Sequence, residues 1–228
     1  MSIKNKFFKE INNNKIIFFG DDHDMNQGRN WLAKVINDIT NIDFFAIEYV
    51  ETSKQKLIDD DNDENLIKYL KKVYKEFPGF SPESIINIIN ICKRKKIKVI
   101  AIEMPEESFK DWKTEKSQQA RIKYITKQIY KLAKNKKGVV LMGADHVEKV
   151  GNNVLNNVKK IIKQKIVSVI FIGGKNWTID TEDYWIRRLE IKFITENNNL
   201  KMKYLKVINE KYPTDWIIHF PQSEILHK

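Results

Sequence analysis

Ionisable residues follow four apolar segments of this chain, and their types are those that activate water or bind divalent metals. The segment KIIFFGDDHD brings Asp21 and His23 directly after an apolar run. Glu48 follows FFAI, Glu103 ends IKVIAIE, and His146 follows GVVLMGAD. Carboxylates act as general bases and metal ligands, and histidine is the side chain most easily tuned to titrate near neutrality. These residues are therefore the candidates for a reactive site.

The segments that carry these residues alternate with amphipathic ones, which predicts strands separated by helices. The predicted strands are Lys15–Phe19, Phe44–Val50, Ile97–Glu103, Gly138–Asp145 and Lys165–Gly174. The predicted helices include NQGRNWLAKVINDIT, LIKYLKKVYKEF, SPESIINIINICKRKK, the region Thr114–Lys136 and a segment ending near Lys165. Near-continuous apolar strands are typical of parallel sheets covered on both faces. The predicted class is α/β, with a mostly parallel central sheet and helices on both faces.

The chain shows no linker rich in proline, glycine or serine and no internal repeat, so we expect a single α/β domain over residues 1–228. Its motif-bearing core covers about residues 15–174. Residues 175–228 form a C-terminal extension with less regular patterning, including a predicted helix around Glu182–Leu189 and the apolar segment DWIIHF. We expect this extension to be an irregular α+β tail that packs on the sheet as an extra layer.

In an open α/β sheet the ligand crevice lies at the carboxyl ends of the strands. If the first four strands are parallel neighbours, the ionisable residues that follow them converge on one rim. Such a cluster could bind a divalent metal or could hold a water molecule and take its proton. The candidate ligands for a metal are Asp21, His23, Glu48, Glu103 and His146.

Each candidate also has a purely structural interpretation. Asp21 and Asp22 of GDDHD could cap the helix that follows. Glu48 and Glu103 could form structural ion pairs with a lysine or with Arg121, because buried glutamates are rare without a partner. His146 could be a polar residue at a helix start. The coincidence of four strand ends favours a functional site.

The composition bounds the cellular setting. Cys92 is the one cysteine of the chain, so no intrachain disulfide can form and a reducing compartment is expected. The first residues lack the apolar run of a signal peptide, and no segment reaches about 18 uninterrupted apolar residues. We expect a cytoplasmic protein. The alternative is export by a route that needs no signal peptide.

The formal net charge of +11 suggests nucleic acid as a possible partner. The excess comes from lysine in a chain that is also rich in asparagine and isoleucine, which is the bias of an A/T-rich genome. Base readout favours arginine, and no interleaved arginine–aromatic pattern occurs. The composition does not favour a nucleic-acid partner. We expect a small-molecule or peptide substrate, and the sequence predicts no oligomeric state.

The segments FFGDDHD, FFAIEYV, VIAIEMP and RIKYITKQI followed by VVLMGADHV resemble the Tiki superfamily. That superfamily includes erythromycin esterase-like hydrolases, ChaN-type haem-binding proteins, TraB-type proteins and a domain of some bacterial toxins. The shared pattern is Gly-Glu-x-His after the first strand, Glu after the second and Gly-x-x-His after a later strand. The matching residues are Gly20, Asp21 in place of the usual Glu, His23, Glu48, Gly143 and His146, and the resemblance spans about Lys15 to Val150.

The resemblance implies a hydrolase in which His23 and a carboxylate, Asp21 or Glu48, activate water against an ester, amide or peptide bond. His146 would be a second base or would stabilise charge, and Arg121 would hold an anionic intermediate. A metal-dependent version would use Mn²⁺, Fe²⁺, Co²⁺ or Zn²⁺. The alternatives that the resemblance leaves open are a ChaN-like protein binding haem or another small ligand, and a toxin or effector domain.

Overall fold

The computed structural model describes residues 1–108, 114–147, 152–173, 203–206 and 214–220. A single sheet contains all the strands of these ranges. They are β1 (Ile16–Asp21), β2 (Phe44–Glu51), β3 (Lys98–Glu103), β4 (Gly138–Gly143), β5 (Ile166–Gly173), β6 (Lys203–Lys206) and β7 (Trp216–Phe220). The strand order is β3-β2-β4-β1-β5-β7-β6. The first five strands and β7 run parallel, and β6 pairs antiparallel with β7 at the edge.

Helices precede or connect most of the strands, which confirms the predicted α/β class. They are α1 (Ile3–Asn13), α2 (Asn26–Val35), α3 (Gln55–Asp59), α4 (Asp63–Val73), α5 (Pro82–Arg94), α6 (Glu115–Ala133) and α7 (Val154–Ile161). Helix α1 was not among the helices predicted from the sequence. Within the described ranges, no helix combines the length and the apolar character that crossing a membrane requires.

Successive residues of each strand face opposite sides of the sheet, as strand geometry requires. Ile17 and Phe19 of β1 pack in one core with apolar residues of α1, α2, α4 and α5. Ile16 and Phe18 pack in a second core with apolar residues of α6 and α7. Helices therefore cover both faces, as predicted, and a residue's parity along a strand decides which helices it meets.

Helix α6 starts at the rim where β3 ends. The Thr114 side chain caps it by accepting a hydrogen bond from the backbone N–H of Ser117 at 3.2 Å. Its buried residues lie three and four positions apart: Ile122, Ile125, Thr126, Ile129 and Ala133. This stripe fixes the rotation of α6 on the sheet. Arg121 therefore lies in its second turn, beside the strand ends.

The described part of the C-terminal extension continues the sheet and does not form a separate layer. Strand β7, which contains most of DWIIHF, pairs with β5 in the register Val169↔Trp216. Strand β6 then pairs with β7. The apolar residues of β7 are explained by this position, because Ile217 and Ile218 are both buried. The helix predicted around Glu182–Leu189 lies outside the described residues.

Candidate functional site

The carboxyl ends of β3, β2, β4 and β1 lie side by side, and the predicted site residues meet at this rim. Asp21, the last residue of β1, is in register with Gly143 of β4. The site contains two hydrogen-bonded networks. One, the Glu48 network, contains Glu48, Glu103, Arg121 and His146; the other, the Asp21 network, contains Asp21, Arg29 and Tyr49.

Glu48 is the centre of the first network and is 2% exposed. Its Oε1 accepts a hydrogen bond from Nη2 of Arg121 and lies 3.2 Å from Nε2 of His146. Its Oε2 accepts the backbone N–H of Gly143 at 2.6 Å. Both carboxylate oxygens are therefore held, one by charged side chains and the other by the end of the neighbouring strand.

Arg121 joins the ends of two strands. Besides pairing with Glu48, it donates from Nε to Oε1 of Glu103 at 2.9 Å and from Nη2 to Oε2 at 2.5 Å. Its third nitrogen, Nη1, lies 2.9 Å from Nε2 of His146. The structural ion pair that the sequence left open is therefore present, and it lies within the predicted site.

The charges of this network shift the titration of its members. Burial alone would raise the pKa of Glu48, but His146 and Arg121 outweigh it and hold that pKa well below its usual range. Burial lowers the pKa of His146, but the Glu48 carboxylate outweighs it and leaves the pKa raised. Protonated His146 donates from Nε2 to Glu48, whereas neutral His146 can accept there from Arg121. The network therefore favours an ionised Glu48 beside a protonated His146.

The second network lies on the opposite face of the sheet. Asp21 is 1% exposed and forms an ion pair with Arg29, which is 0% exposed. The hydroxyl of Tyr49 donates to the same carboxylate oxygen, Oδ2. Arg29 also donates from Nε to the hydroxyl of Ser84 at 2.8 Å, and its guanidinium lies 5.0 Å from the ring centroid of Phe80. These contacts surround Asp21 with α2, α5 and β2.

Asp21 and its neighbour Asp22 do not cap the following helix. The N-cap position of α2 is Met25, and no side chain caps it. Asp22 instead accepts a hydrogen bond from the backbone N–H of Asp24 at 3.0 Å, within the turn after β1. Burial raises the pKa of Asp21, opposed chiefly by the charge of Arg29. We regard the pair as ionised, because a neutral Asp21 would leave the guanidinium buried without a counter-charge.

His23 lies past the end of β1, beside the Asp21 network and near the Glu48 network. Its Nδ1 is 3.2 Å from the hydroxyl oxygen of Tyr49. On the other side of the ring lies Gly143. A Cβ atom placed on Gly143 would be 3.6 Å from Nε2 of His23 and 3.7 Å from Oε2 of Glu48. The absent side chain leaves a space that both groups face.

Strand parity explains why adjacent residues of β2 join different networks. Phe44 and Ala46 face the core under α6 and α7, so Glu48 points to the side of Arg121. Phe45, Ile47 and Tyr49 belong to the other core, which places Tyr49 beside Asp21. The dipeptide Glu48–Tyr49 thus supplies one residue to each side of the rim.

An aromatic turn forms one wall beside His23. The imidazole contacts the rings of Tyr74 and Phe77 at centroid distances of 5.3 and 5.2 Å. The turn that contains Phe77 is held to the loop after β1, because the backbone N–H of Gly79 donates to Oδ1 of Asp24 at 3.2 Å. Phe77 remains 37% exposed, so an apolar surface lies beside the imidazole and is open to solvent.

The donor set does not fit a divalent metal. Within the described ranges, no cluster of three or more histidine, cysteine, aspartate or glutamate residues could hold a metal ion. The candidate ligands Glu48 and Glu103 pair with Arg121, and Asp21 pairs with Arg29. Guanidinium groups therefore occupy the positions at which a cation would balance these carboxylates.

The surroundings of His23 also fit haem poorly. His23 could serve as an axial ligand through Nε2. That nitrogen, however, lies near Gly143 and on the side of the ionised Glu48, which pairs with Arg121. A porphyrin face requires apolar contacts, and this side of the ring offers charged ones. The site is better suited to a polar group.

Sequence reasoning missed two residues of the site, Arg29 and Tyr49. Arg29 lies on the buried side of α2, where the helical spacing of Leu32 and Val35 could have indicated it. Tyr49 directly follows Glu48, and strand alternation could have placed it on the opposite face. Neither signal identifies Asp21 as their shared partner, because that contact depends on how α2 packs.

No family model matches the sequence, and no curated protein matches it. Its fold is similar to solved structures at low identity. The type III effector HopBA1 superposes with a TM-score of 0.57 at 14% identity, covering 97% of this chain and 94% of that one. Haem-binding ChaN of Campylobacter jejuni superposes with a TM-score of 0.52 at 13% identity. The match covers 94% of this chain and 90% of that one.

The C-terminal region of Pasteurella multocida toxin, described as having a thiol-protease-like catalytic triad, gives a TM-score of 0.57 at 14% identity. The match covers 75% of this chain and 25% of the toxin chain. The chain is therefore an α/β protein whose fold is similar to those of a bacterial effector, a haem-binding protein and part of a toxin. This likeness is consistent with a ChaN-like fold.

Proposed function

We propose that this chain is a hydrolase in which His23 and Glu48 activate a water molecule for attack on an ester, amide or peptide bond. The observation that carries the proposal is the space in front of Gly143, which Nε2 of His23 and Oε2 of Glu48 approach from two sides. A water molecule there would lie within reach of both groups. Imidazole is the better base, since Glu48 is held strongly ionised by its neighbours.

The remaining members of the Glu48 network suit the charges of such a reaction. Arg121 keeps part of its side chain accessible, 17% exposed, beside the space in front of Gly143. Attack on a carbonyl group develops a negative charge that a fixed guanidinium stabilises. His146 is favoured in its protonated form by Glu48 and can donate a proton to the leaving group.

The nucleophile we propose is water, because the cysteine of this chain is unsuitable. Cys92 is fully buried in α5, and burial raises the pKa of its thiol to about 12. A buried neutral thiol is a poor nucleophile. The mechanism also includes no metal step, because arginine side chains already balance the carboxylates.

The test is turnover of a panel of nitrophenyl esters and of a peptide library read by mass spectrometry. We expect activity in the wild type, also with a chelator present, and a loss of at least ~100-fold in Glu48→Gln and in His23→Gln. The matched control is Glu83→Gln, a glutamate that lies on the exposed side of α5. The proposal fails if no substrate of the panel is cleaved, or if both site variants retain wild-type rates.

A second candidate, an effector or toxin domain, is supported by the solved structures with a similar fold, one a type III effector and another part of a toxin. Hydrolysis would then act on a component of a target cell. Expression in a heterologous host tests this role. Growth impairment that disappears in His23→Gln supports it, whereas normal growth at equal expression contradicts it.

The haem-binding alternative is tested by a separate titration. Titration of the purified chain with haemin should give no saturable Soret shift, because Nε2 of His23 faces charged groups. A saturable shift that His23→Gln abolishes would replace the hydrolase proposal with a ligand-binding function.

A further inference from the structure

We propose that Tyr49 is a positioning residue that holds neutral His23 in the tautomer with its proton on Nδ1. Asp21 and Arg29 act behind Tyr49 by fixing the direction of its hydroxyl hydrogen. The unprotonated Nε2 is then presented to the space in front of Gly143. The inference rests on the geometry of the four side chains and not on the identity of a substrate.

The first step is the hydrogen-bond capacity of the Tyr49 hydroxyl, which has one hydrogen to donate and two lone pairs. Three groups contact it. Oδ2 of Asp21 accepts its hydrogen, and Nη1 of Arg29, a nitrogen that can only donate, lies 3.2 Å away. Nδ1 of His23 is the third group, at 3.2 Å. The Tyr49 oxygen has only a lone pair left to offer His23, so Nδ1 must carry the hydrogen of this hydrogen bond.

The second step excludes the reverse direction, in which Asp21 would be the acid and would donate to Tyr49. Arg29 is 0% exposed and keeps its charge at every accessible pH. Among the described residues its ion-pair partner is Asp21. Protonating Asp21 would leave the guanidinium buried without a counter-charge, which is strongly unfavourable. Asp21 is therefore the acceptor, and the hydroxyl hydrogen of Tyr49 points to it.

The third step concerns the phenol itself. If Tyr49 ionised, it would lose the hydroxyl hydrogen that it donates to Asp21, and its oxygen could no longer set the direction of the hydrogen bonds. Burial raises the pKa of Tyr49 well above its usual value, and the charge of Asp21 raises it further. The hydroxyl thus stays neutral at neutral and moderately alkaline pH. The relay runs from Nδ1–H of His23 to Tyr49 and from Tyr49 to Asp21.

The consequence lies at the other ring nitrogen. A neutral imidazole carries one hydrogen, so Nε2 of His23 keeps its lone pair. That nitrogen is the one near Gly143 and Glu48, and none of the described residues forms a hydrogen bond with it. An imidazole in water samples both tautomers, and only one of them leaves Nε2 able to accept a proton. Tyr49 disfavours the other tautomer, in which the hydrogen is on Nε2.

The direct test is the tautomeric state of His23, read from the ¹⁵N shifts of both ring nitrogens in the full chain at a pH where the ring is neutral. The chain has four histidines, and His23→Gln assigns the signal. We expect a pyrrole-type shift for Nδ1 and a pyridine-type shift for Nε2. A hydrogen on Nε2 in the wild type overturns the proposal, even if no variant folds.

The variants separate the hydroxyl from the aromatic ring. Tyr49→Phe should release His23 into a mixture of tautomers. The matched control is Tyr74→Phe, because its ring contacts the same imidazole at 5.3 Å, against 5.2 Å for Tyr49. That substitution should leave the Nδ1–H tautomer unchanged. Retention of the Nδ1–H tautomer in a folded Tyr49→Phe contradicts the relay.

A kinetic measurement rests on the proposed hydrolase. Once a substrate is known, Tyr49→Phe should lower kcat by ~10-fold or more with little change in KM, since a misplaced proton removes part of the general base. The NMR result stands without this measurement. A correct tautomer in an inactive protein would overturn the hydrolase and leave the relay intact.

Discussion

Arg121 pairs with Glu48 at the point where α6 passes the end of β2, and this contact joins a helix on one face of the sheet to the centre of the rim. The guanidinium also holds Glu103 at the end of β3. The cation of the site is thus provided by the chain itself. It is covalently fixed, cannot be removed by a chelator, and can donate several hydrogen bonds in one plane.

Removing this cation should destabilise the protein. In Arg121→Gln two carboxylates at the strand ends, 2% and 12% exposed in their side chains, lose the guanidinium that pairs with both. Glu48 keeps His146 as a partner, whereas Glu103 is left without its counter-charge. We expect the free energy of unfolding to fall by about 3 kcal/mol, measured by urea denaturation. Arg94→Gln, at the exposed end of α5, is the control and should change it by less than about 0.5 kcal/mol. Equal stability of the two variants would show that Arg121 is a solvated surface charge.

We expect Asp21 to stabilise the folded protein through its ion pair with Arg29. Asp21→Asn keeps the shape of the side chain but removes the charge opposite the buried Arg29. We expect a loss of about 3 kcal/mol in the free energy of unfolding by urea denaturation. Asp22→Asn, one residue later, keeps the oxygen that accepts the N–H of Asp24 and should be near wild type. A stable Asp21→Asn would contradict the assignment of an ionised pair.

The raised pKa of His146 predicts a pH dependence of stability. Because the folded pKa lies above the usual value of 6.5, protonation of His146 favours the folded state. This contribution is fully present below the unfolded pKa and is lost as the pH rises through the folded one. The difference in unfolding free energy between wild type and His146→Gln should therefore shrink as the pH increases. A difference that stays constant across the range would show that Glu48 does not stabilise the charged form.

Much of the fold and the rim could be predicted from the sequence. Glu48 and Glu103 follow apolar runs that must be buried strands, and parallel strands bring their carboxyl ends together. The segment around Arg121 reads as a helix because its apolar residues recur at helical spacing. Local pattern and sheet topology were sufficient for these residues.

The division into two networks could not be predicted in the same way. Asp21 is separated from Tyr49 by 28 positions, and their contact depends on the order of strands in the sheet and on the packing of α2. The sequence suggested that Asp21 faces the same space as Glu48, whereas β4 lies between their strands. The position of β7 in the sheet was likewise not evident, because the chain between β5 and β7 is long and irregular in pattern.

The central claim is that hydrolysis takes place in the space in front of Gly143, and Gly143→Ala tests it most directly. The backbone there, at φ −56° and ψ 142°, accepts any residue, and the new methyl group would lie at ordinary contact distance from His23 and Glu48. It would nevertheless occupy the volume that the attacking water needs.

The measurement is the hydrolytic rate of Gly143→Ala beside its free energy of unfolding. We predict a rate at least ~100-fold lower, with stability equal to the wild type or up to about 1 kcal/mol greater, since alanine restricts the unfolded chain. A folded Gly143→Ala that hydrolyses its substrate at the wild-type rate would contradict the claim.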